Sequence, residues 1–232
     1  MFIYDPTFIM MIPAVLLALY AQFKVNSAFK KYSEVTSARG LTGAETAREI
    51  LGNAGISDVS IEQASGRLTD HYDPKTKTLR LSEAVYNSKS LAAVGVAAHE
   101  VGHAIQHDCG YAPLGLRSAI VPAVNLGSNL AWPILLVGMI LTSYTGEFGW
   151  IFVQIAIVLF TLVVIFSLIT LPVEFNASSR AVASLQSNGI LTANEITPVK
   201  KVLNAAAMTY VASAAMAIIQ LLRAVLLSRR RR

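Results

Sequence analysis

The chain has 232 residues, of which 54% are hydrophobic and only 14% charged, with a formal net charge of +5. Typical globular chains carry about 25% charged residues, so an ordinary soluble domain is excluded and lipid is the natural solvent for much of the molecule. Four basic residues form the terminal block at 229–232, which suits an anionic lipid surface or a topology signal and not nucleic acid, and the single cysteine, Cys109, leaves no intrachain disulfide framework.

The first apolar run, at 8–23, is short for the roughly 20 residues a span needs, but Tyr4 and Tyr20 near its ends suit interfacial anchoring. No Lys or Arg precedes it and no small-x-small site follows, which argues against a cleaved signal peptide. A more polar stretch follows. At 41–55, "LTGAETAREILGNAG" places Thr42 three residues before Glu45, a capping-box spacing, and ends on Gly55. This predicts a helix with Ile50 and Leu51 on its buried side. Two extended-type runs, 59–68 and 79–86, are separated by a polar segment containing Asp73-Pro74, which predicts a hairpin with a longer loop. The strand at 79–82 would offer an edge on which an extended substrate adds as another strand. Residues 90–108 read as a small-residue-rich helix.

Three further apolar runs follow, at 119–144, 150–171 and 205–227. The first contains Asn125, Ser128 and Asn129, expected to hydrogen-bond between helices. The second has no charge at all and reads as a span. The third is Ala-rich and carries Arg223, so it either spans or lies packed against the others. The organisation expected is a first transmembrane helix at 1–24, an insert at 25–118 whose last helix carries the H-E-x-x-H pattern of zincin metal sites at 99–103, two transmembrane helices at 119–172, and a 173–232 segment with Glu174, a fourth membrane helix and the basic tail. The fold class is an α-helical multi-pass membrane protein with a small α+β zincin-like insert: helix, hairpin, active-site helix.

The chemistry lies in "AAHEVGHAIQHD" at 97–108. His99 and His103 stand four apart, one turn on one face of a helix. Two such imidazoles can converge on one ion at about 2.0–2.1 Å each, and Glu100 between them can take a proton from water activated there. A catalytic zinc normally takes three protein ligands and keeps one open position. His107 lies about 12 Å along the helix axis from His99, too far to share an ion. The longer H-E-x-x-H-x-x-G-x-x-H pattern fails too, with Gln106 and Cys109 at its last two fixed positions. Glu147, Glu174 and Glu195 are the downstream carboxylates. Glu147 lies in the loop on the opposite membrane face, and Glu195 in polar "TANEITP" reads as a solvated charge. Glu174 is favoured because two crossings return it to the side of the insert; pairing with Arg180 or Arg223 is its alternative.

The stretch "RLTDHYDPKTKTLRLSEAVYNSKSLAAVGVAAHEVGHAIQH", with "LPVEFNASSRA" two spans later and the opening "MFIYDPTFIMMIPA", resembles the YugP-type neutral zinc metallopeptidases of bacterial membranes. The resemblance implies one Zn2+ held by His99, His103 and Glu174, with Glu100 as catalytic base. The family often carries Asp where this chain has Asn176, so a charged partner that could orient a ligating histidine is replaced by a neutral acceptor. The expected function is a zinc endopeptidase of the gluzincin kind in the bacterial inner membrane, acting on peptide or protein substrates in or near the bilayer, with no nucleic-acid partner. His71 and Tyr72 are candidates for stabilising the oxyanion, and Asn176 and Arg180 for supporting the ligands. A membrane scaffold with a structural zinc site is the rival; such sites usually have four ligands, and Cys109 is the one further candidate. A transporter would place polar or broken segments mid-membrane, and only Asn125, Ser128 and Asn129 hint at that. Lys24, Lys30 and Lys31 follow the first span with only Asp5 before it, which predicts a cytoplasmic active site; the terminal arginines oppose this unless the fourth run stops short, with Arg223 snorkelling back.

Overall fold

A computed structural model describes residues 6–66 and 69–229. Tyr4, Asp5, Leu68 and the arginines at 230–232, which carry expectations above, lie outside the described residues. A 3-10 turn at Pro6–Met10 leads into α1 (Met11–Ser33). Then come α2 (Gly43–Asn53), β1 (Ser60–Ala64), β2 (His71–Asp73), β3 (Thr78–Ser82), α3 (Glu83–Tyr86) and α4 (Leu91–Asp108). The long helices α5 (Ala112–Thr145), α6 (Glu147–Ser187) and α7 (Ala193–Arg229) complete the chain. The helix beginning at Thr7, α5, α6 and α7 are each long and apolar enough to cross a bilayer. The protein is a helical membrane protein with a small α+β insert.

The chain divides into two compact units. The membrane unit takes the chain up to Tyr20, Leu116–Leu171 and the chain from Thr209 on. Here α5 and α6 approach backbone to backbone: a Cβ on Gly138 would lie 2.8 Å from Val153 N, and one on Gly149 would lie 2.1 Å from Thr142 N. Small residues permit this contact, which dispersion then rewards. Leu135 and Met139 of α5 pack with Val153 and Phe160 of α6 and Ala224 of α7. The Arg223 guanidinium lies 5.0 Å from the Phe8 ring centre and 4.8 Å from that of Trp132, and its Nε donates to Thr7 Oγ1 at 3.2 Å. Aromatic faces and a hydroxyl thus meet a charge that lipid would penalise. Among the described residues the expected interhelical bonds of Asn125, Ser128 and Asn129 are not formed. Ser128 Oγ and Asn129 Nδ2 instead donate to the Asn125 carbonyl of their own helix, since a short polar side chain reaches the preceding turn more readily than a neighbouring helix.

The second unit comprises Ala21–Gly115 and Pro172–Met208. Its α2 starts as expected: Thr42 Oγ1 accepts from Glu45 N and Glu45 Oε2 accepts from Thr42 N, a reciprocal capping box. Gly55, at φ +73°, ends the helix, and Ile50 and Leu51 are buried. The sheet departs from expectation. Its order is β1-β3-β2, with β1 parallel and β2 antiparallel to β3. The 59–68 run therefore meets the 79–86 run in parallel instead of through a turn, and the hairpin is β2–β3. Asp73 makes that tighter turn, its carboxylate accepting from Lys75 N at 2.9 Å and Thr76 Oγ1 at 2.8 Å. The edge expected at 79–82 is likewise absent, because β3 is the central strand, with Leu79 and Leu81 fully buried. The outer strands are β1 and β2, and on β2 the Tyr72 N–H is already taken by Glu100.

Around α4 the core is made of Ile50 and Leu51, Leu79 and Leu81, Leu185, Val199 and Leu203. Alanines at 92, 93, 97, 98 and 104 keep α4 thin enough for close packing on several sides. Glu195 is not simply a solvated charge. Its Oε2 accepts from Thr192 N at 2.8 Å and its Oε1 from Ala38 N at 2.6 Å. It caps the start of α7 and ties that helix to the loop after α1.

Candidate metal centre

Ser90 caps α4, its Oγ accepting from Ala93 N at 3.2 Å. Regular helix then carries His99 and His103 to one face, with ring centres 4.9 Å apart and planes at 85°. Glu174 comes to them from α6. Gly102 of α4 permits this, because a Cβ there would sit 2.5 Å from the Ala177 carbonyl oxygen. Only a glycine lets the two helices approach so closely one turn from the carboxylate.

The Nε2 atoms of both histidines face the same Glu174 oxygen, Oε2, at 3.2 Å for His99 and 3.6 Å for His103. One ligand atom from each of the three residues lies within 4.8 Å of the others. A tetrahedral ion with bonds of about 2.0–2.1 Å separates its ligands by roughly 3.3 Å, so the donor spacing fits zinc. The chemistry of the set fits as well: two imidazole nitrogens and a carboxylate, all protected from solvent. Glu174 is only 2% exposed, and a carboxylate so buried requires positive compensation. Burial alone would push the His103 imidazolium down, but the Glu174 and Glu100 carboxylates outweigh it and its pKa is raised.

Neighbouring groups orient both imidazoles through their other nitrogens. His99 Nδ1 lies 3.1 Å from Ser178 Oγ, and His103 Nδ1 lies 2.9 Å from Gln106 Oε1. Glu174 and Ser178 are one turn apart on α6 and so face His99 together. Gln106 is fully buried; its Nε2 donates to Val173 O at 2.8 Å and Asn176 Oδ1 at 3.0 Å. Sequence reasoning missed Ser178, and met Gln106 only as a failed glycine position. Their partners lie on another helix, so no local spacing marks them.

Glu100 stands outside the three-residue cluster, and its Oε2 accepts the Tyr72 backbone N–H at 3.0 Å. Tyr72 Oη lies 2.8 Å from His107 Nδ1. Burial, with the charges of Asp58, Asp73 and Asp108 adding, pushes the phenol up to about 12. His107 is thus placed with Tyr72 and not in the cluster. The His71 ring lies at the exposed surface, with Nδ1 donating to Thr69 O at 2.7 Å. Arg180 does not pair with Glu174; its Nε donates to Asn176 Oδ1 at 2.8 Å. Glu147 opens the first turn of α6, and Cys109 is an exposed free thiol at the end of α4.

A family model described as "Putative neutral zinc metallopeptidase" matches residues 7–229. "Putative membrane protease YugP" of Bacillus subtilis (strain 168) is 50% identical over 216 residues, 93% of each chain. No solved structure matches the chain. With the family model covering nearly the whole sequence, the chain belongs to this family of neutral zinc metallopeptidases.

Proposed function

We propose that this member of the neutral zinc metallopeptidase family is an endopeptidase that binds one zinc ion through His99, His103 and Glu174 and uses Glu100 as general base. The observation that carries the reading is the convergence of two imidazole Nε2 atoms on one Glu174 oxygen, with Glu100 beside them but outside the donor set. Zinc, when bound, supplies Lewis acidity toward a carbonyl oxygen and acidifies water. The chain's residues do the rest. The Tyr72 N–H holds Glu100 Oε2, fixing the carboxylate so that Oε1 is free to take a proton from the attacking water and pass it to the leaving amine. Among the described residues three donors, not four, converge, which supports a site with an open position over the closed structural site of a scaffold.

Substrates are membrane or membrane-associated proteins, in keeping with helices that cross the bilayer before and after the insert. The active site faces the cytoplasm, following Lys24 and the last-turn Lys30 and Lys31 at the C-terminal end of α1. Glu100→Gln tests the mechanism. The variant keeps about one zinc per chain and loses cleavage of a casein-like substrate by a factor of roughly 10² or more. Cleavage at the wild-type rate would overturn it.

A further inference from the structure

We infer that Gln106 is a positioning residue for His103, working as the middle of a hydrogen-bond relay that runs from His103 through Gln106 to the Asn176 oxygen, on which Arg180 also donates. The inference rests on the zinc site proposed above. Amide groups can point either way, so their direction must come from neighbours that have no choice. Two such neighbours bound this relay. Arg180 can only donate, and its Nε meets Asn176 Oδ1 at 2.8 Å, so that atom is an oxygen accepting. The Val173 carbonyl can only accept, and it lies 2.8 Å from Gln106 Nε2. Gln106 Nε2 therefore donates both to Val173 O and to Asn176 Oδ1, at 3.0 Å. That leaves Oε1 as the atom facing His103 Nδ1 at 2.9 Å.

An acceptor at that place requires the proton of the imidazole on Nδ1. The lone pair is then on Nε2, the atom aimed at the Glu174 oxygen. The relay thus selects the ring tautomer that can ligate, and holds the ring plane. Gln106 is fully buried with both amide protons and its oxygen engaged, so it cannot turn over without leaving polar atoms unsatisfied. No carboxylate is required. The relay uses Asn176 solely through an accepting oxygen, so an aspartate there serves equally and an apolar residue does not.

The test is zinc affinity of the detergent-solubilised full chain, measured by chelator competition on the folded fraction, with thermal midpoints of the zinc-free protein alongside. Gln106→Leu and Asn176→Leu should weaken zinc binding by about 10–100-fold, whereas Asn176→Asp should bind as wild type does. A purely structural role would lower the zinc-free midpoint and leave the affinity of the folded fraction unchanged; that result for Gln106→Leu overturns the inference. Should Gln106→Leu not fold, the two Asn176 variants decide, and equal affinities for them overturn it. His103→Ala and Glu174→Ala serve as references. Zinc retained by either would sink the metal site itself, whereas zinc lost by both and kept by Gln106→Leu would sink the relay alone.

Discussion

Gly102→Ala is the smallest change that tests how the metal centre is assembled. The added Cβ would stand 2.5 Å from the Ala177 carbonyl oxygen and 3.1 Å from its carbon. Both are backbone atoms in the middle of a helix, so no side chain can rotate away. Contacts below about 3.0 Å are not tolerated in a dense interior, so α4 and α6 must separate by roughly 0.5 Å. A zinc site accepts ligand displacements of about 0.2 Å, and Glu174 rides on the helix that moves. Overpacking of this kind costs about 1–3 kcal/mol. Without the ion the helices can relax, but binding draws Glu174 back toward the histidines and restores the clash. At about 1.4 kcal/mol per tenfold, zinc affinity should fall by roughly 5- to 150-fold. Chelator competition measures this, with Gly52→Ala as control: nothing lies within 4 Å of a Cβ there, and the helix should gain about 0.5–1 kcal/mol. Wild-type zinc affinity in folded Gly102→Ala would refute the claim that this contact sets the donor spacing.

Glu174→Ala should lose zinc, whereas His107→Ala and Glu195→Ala should retain it by metal analysis; Glu195→Ala should instead lose about 0.5–2 kcal/mol of stability with its cap. The Tyr72 phenol is raised to about 12 because burial favours its neutral form. Its contribution to stability is therefore complete below its ordinary pKa of 10 and lost as the pH rises through about 12. Ultraviolet titration of wild type against Tyr72→Phe should show the missing phenol ionising at the upper value, and ionisation near 10 would contradict its burial beside His107. For orientation, Lys75→Cys and Ser143→Cys in a Cys109→Ala background should differ in intact cells, with an impermeant reagent labelling position 143 and sparing position 75; the reverse places the active site outside.

What could be read from the sequence was whatever depends on neighbours a few residues apart. Thr42 with Glu45 and Ser90 with Ala93 act within one turn, so both helix starts were legible. His99 and His103 share a face by helical geometry alone. The sheet was not legible for two reasons. Strand β2 has three residues, too few to display an alternation, and β1 meets β3 in parallel, a pairing that no turn announces. Thr192-x-x-Glu195 repeats the spacing that marked α2, but Glu195 also accepts from Ala38, far away in the chain, and that tie has no local signature. Gln106 and Ser178 escaped for the same reason.

The division of labour between the two helices explains why the motif alone is an incomplete description of the centre. The α4 helix supplies two imidazoles and the Glu100 carboxylate in a fixed mutual geometry. A short stretch of α6 supplies the rest: Glu174 to the cluster, Ser178 to His99, and Val173 with Asn176 to the residue that holds His103. A single docking event therefore brings the third donor and the orienting partners together, and the chain must traverse the apolar stretch to Leu171 before it can occur. An ion that binds only the docked arrangement stabilises it by an amount that grows with the logarithm of its concentration over Kd. Zinc binding at the proposed site and α4–α6 packing would thus be two faces of one equilibrium. Substitutions that loosen Gly102 against Ala177, or that turn His103 away from Glu174, should converge on the same phenotype: a folded membrane unit with a weakened metal centre.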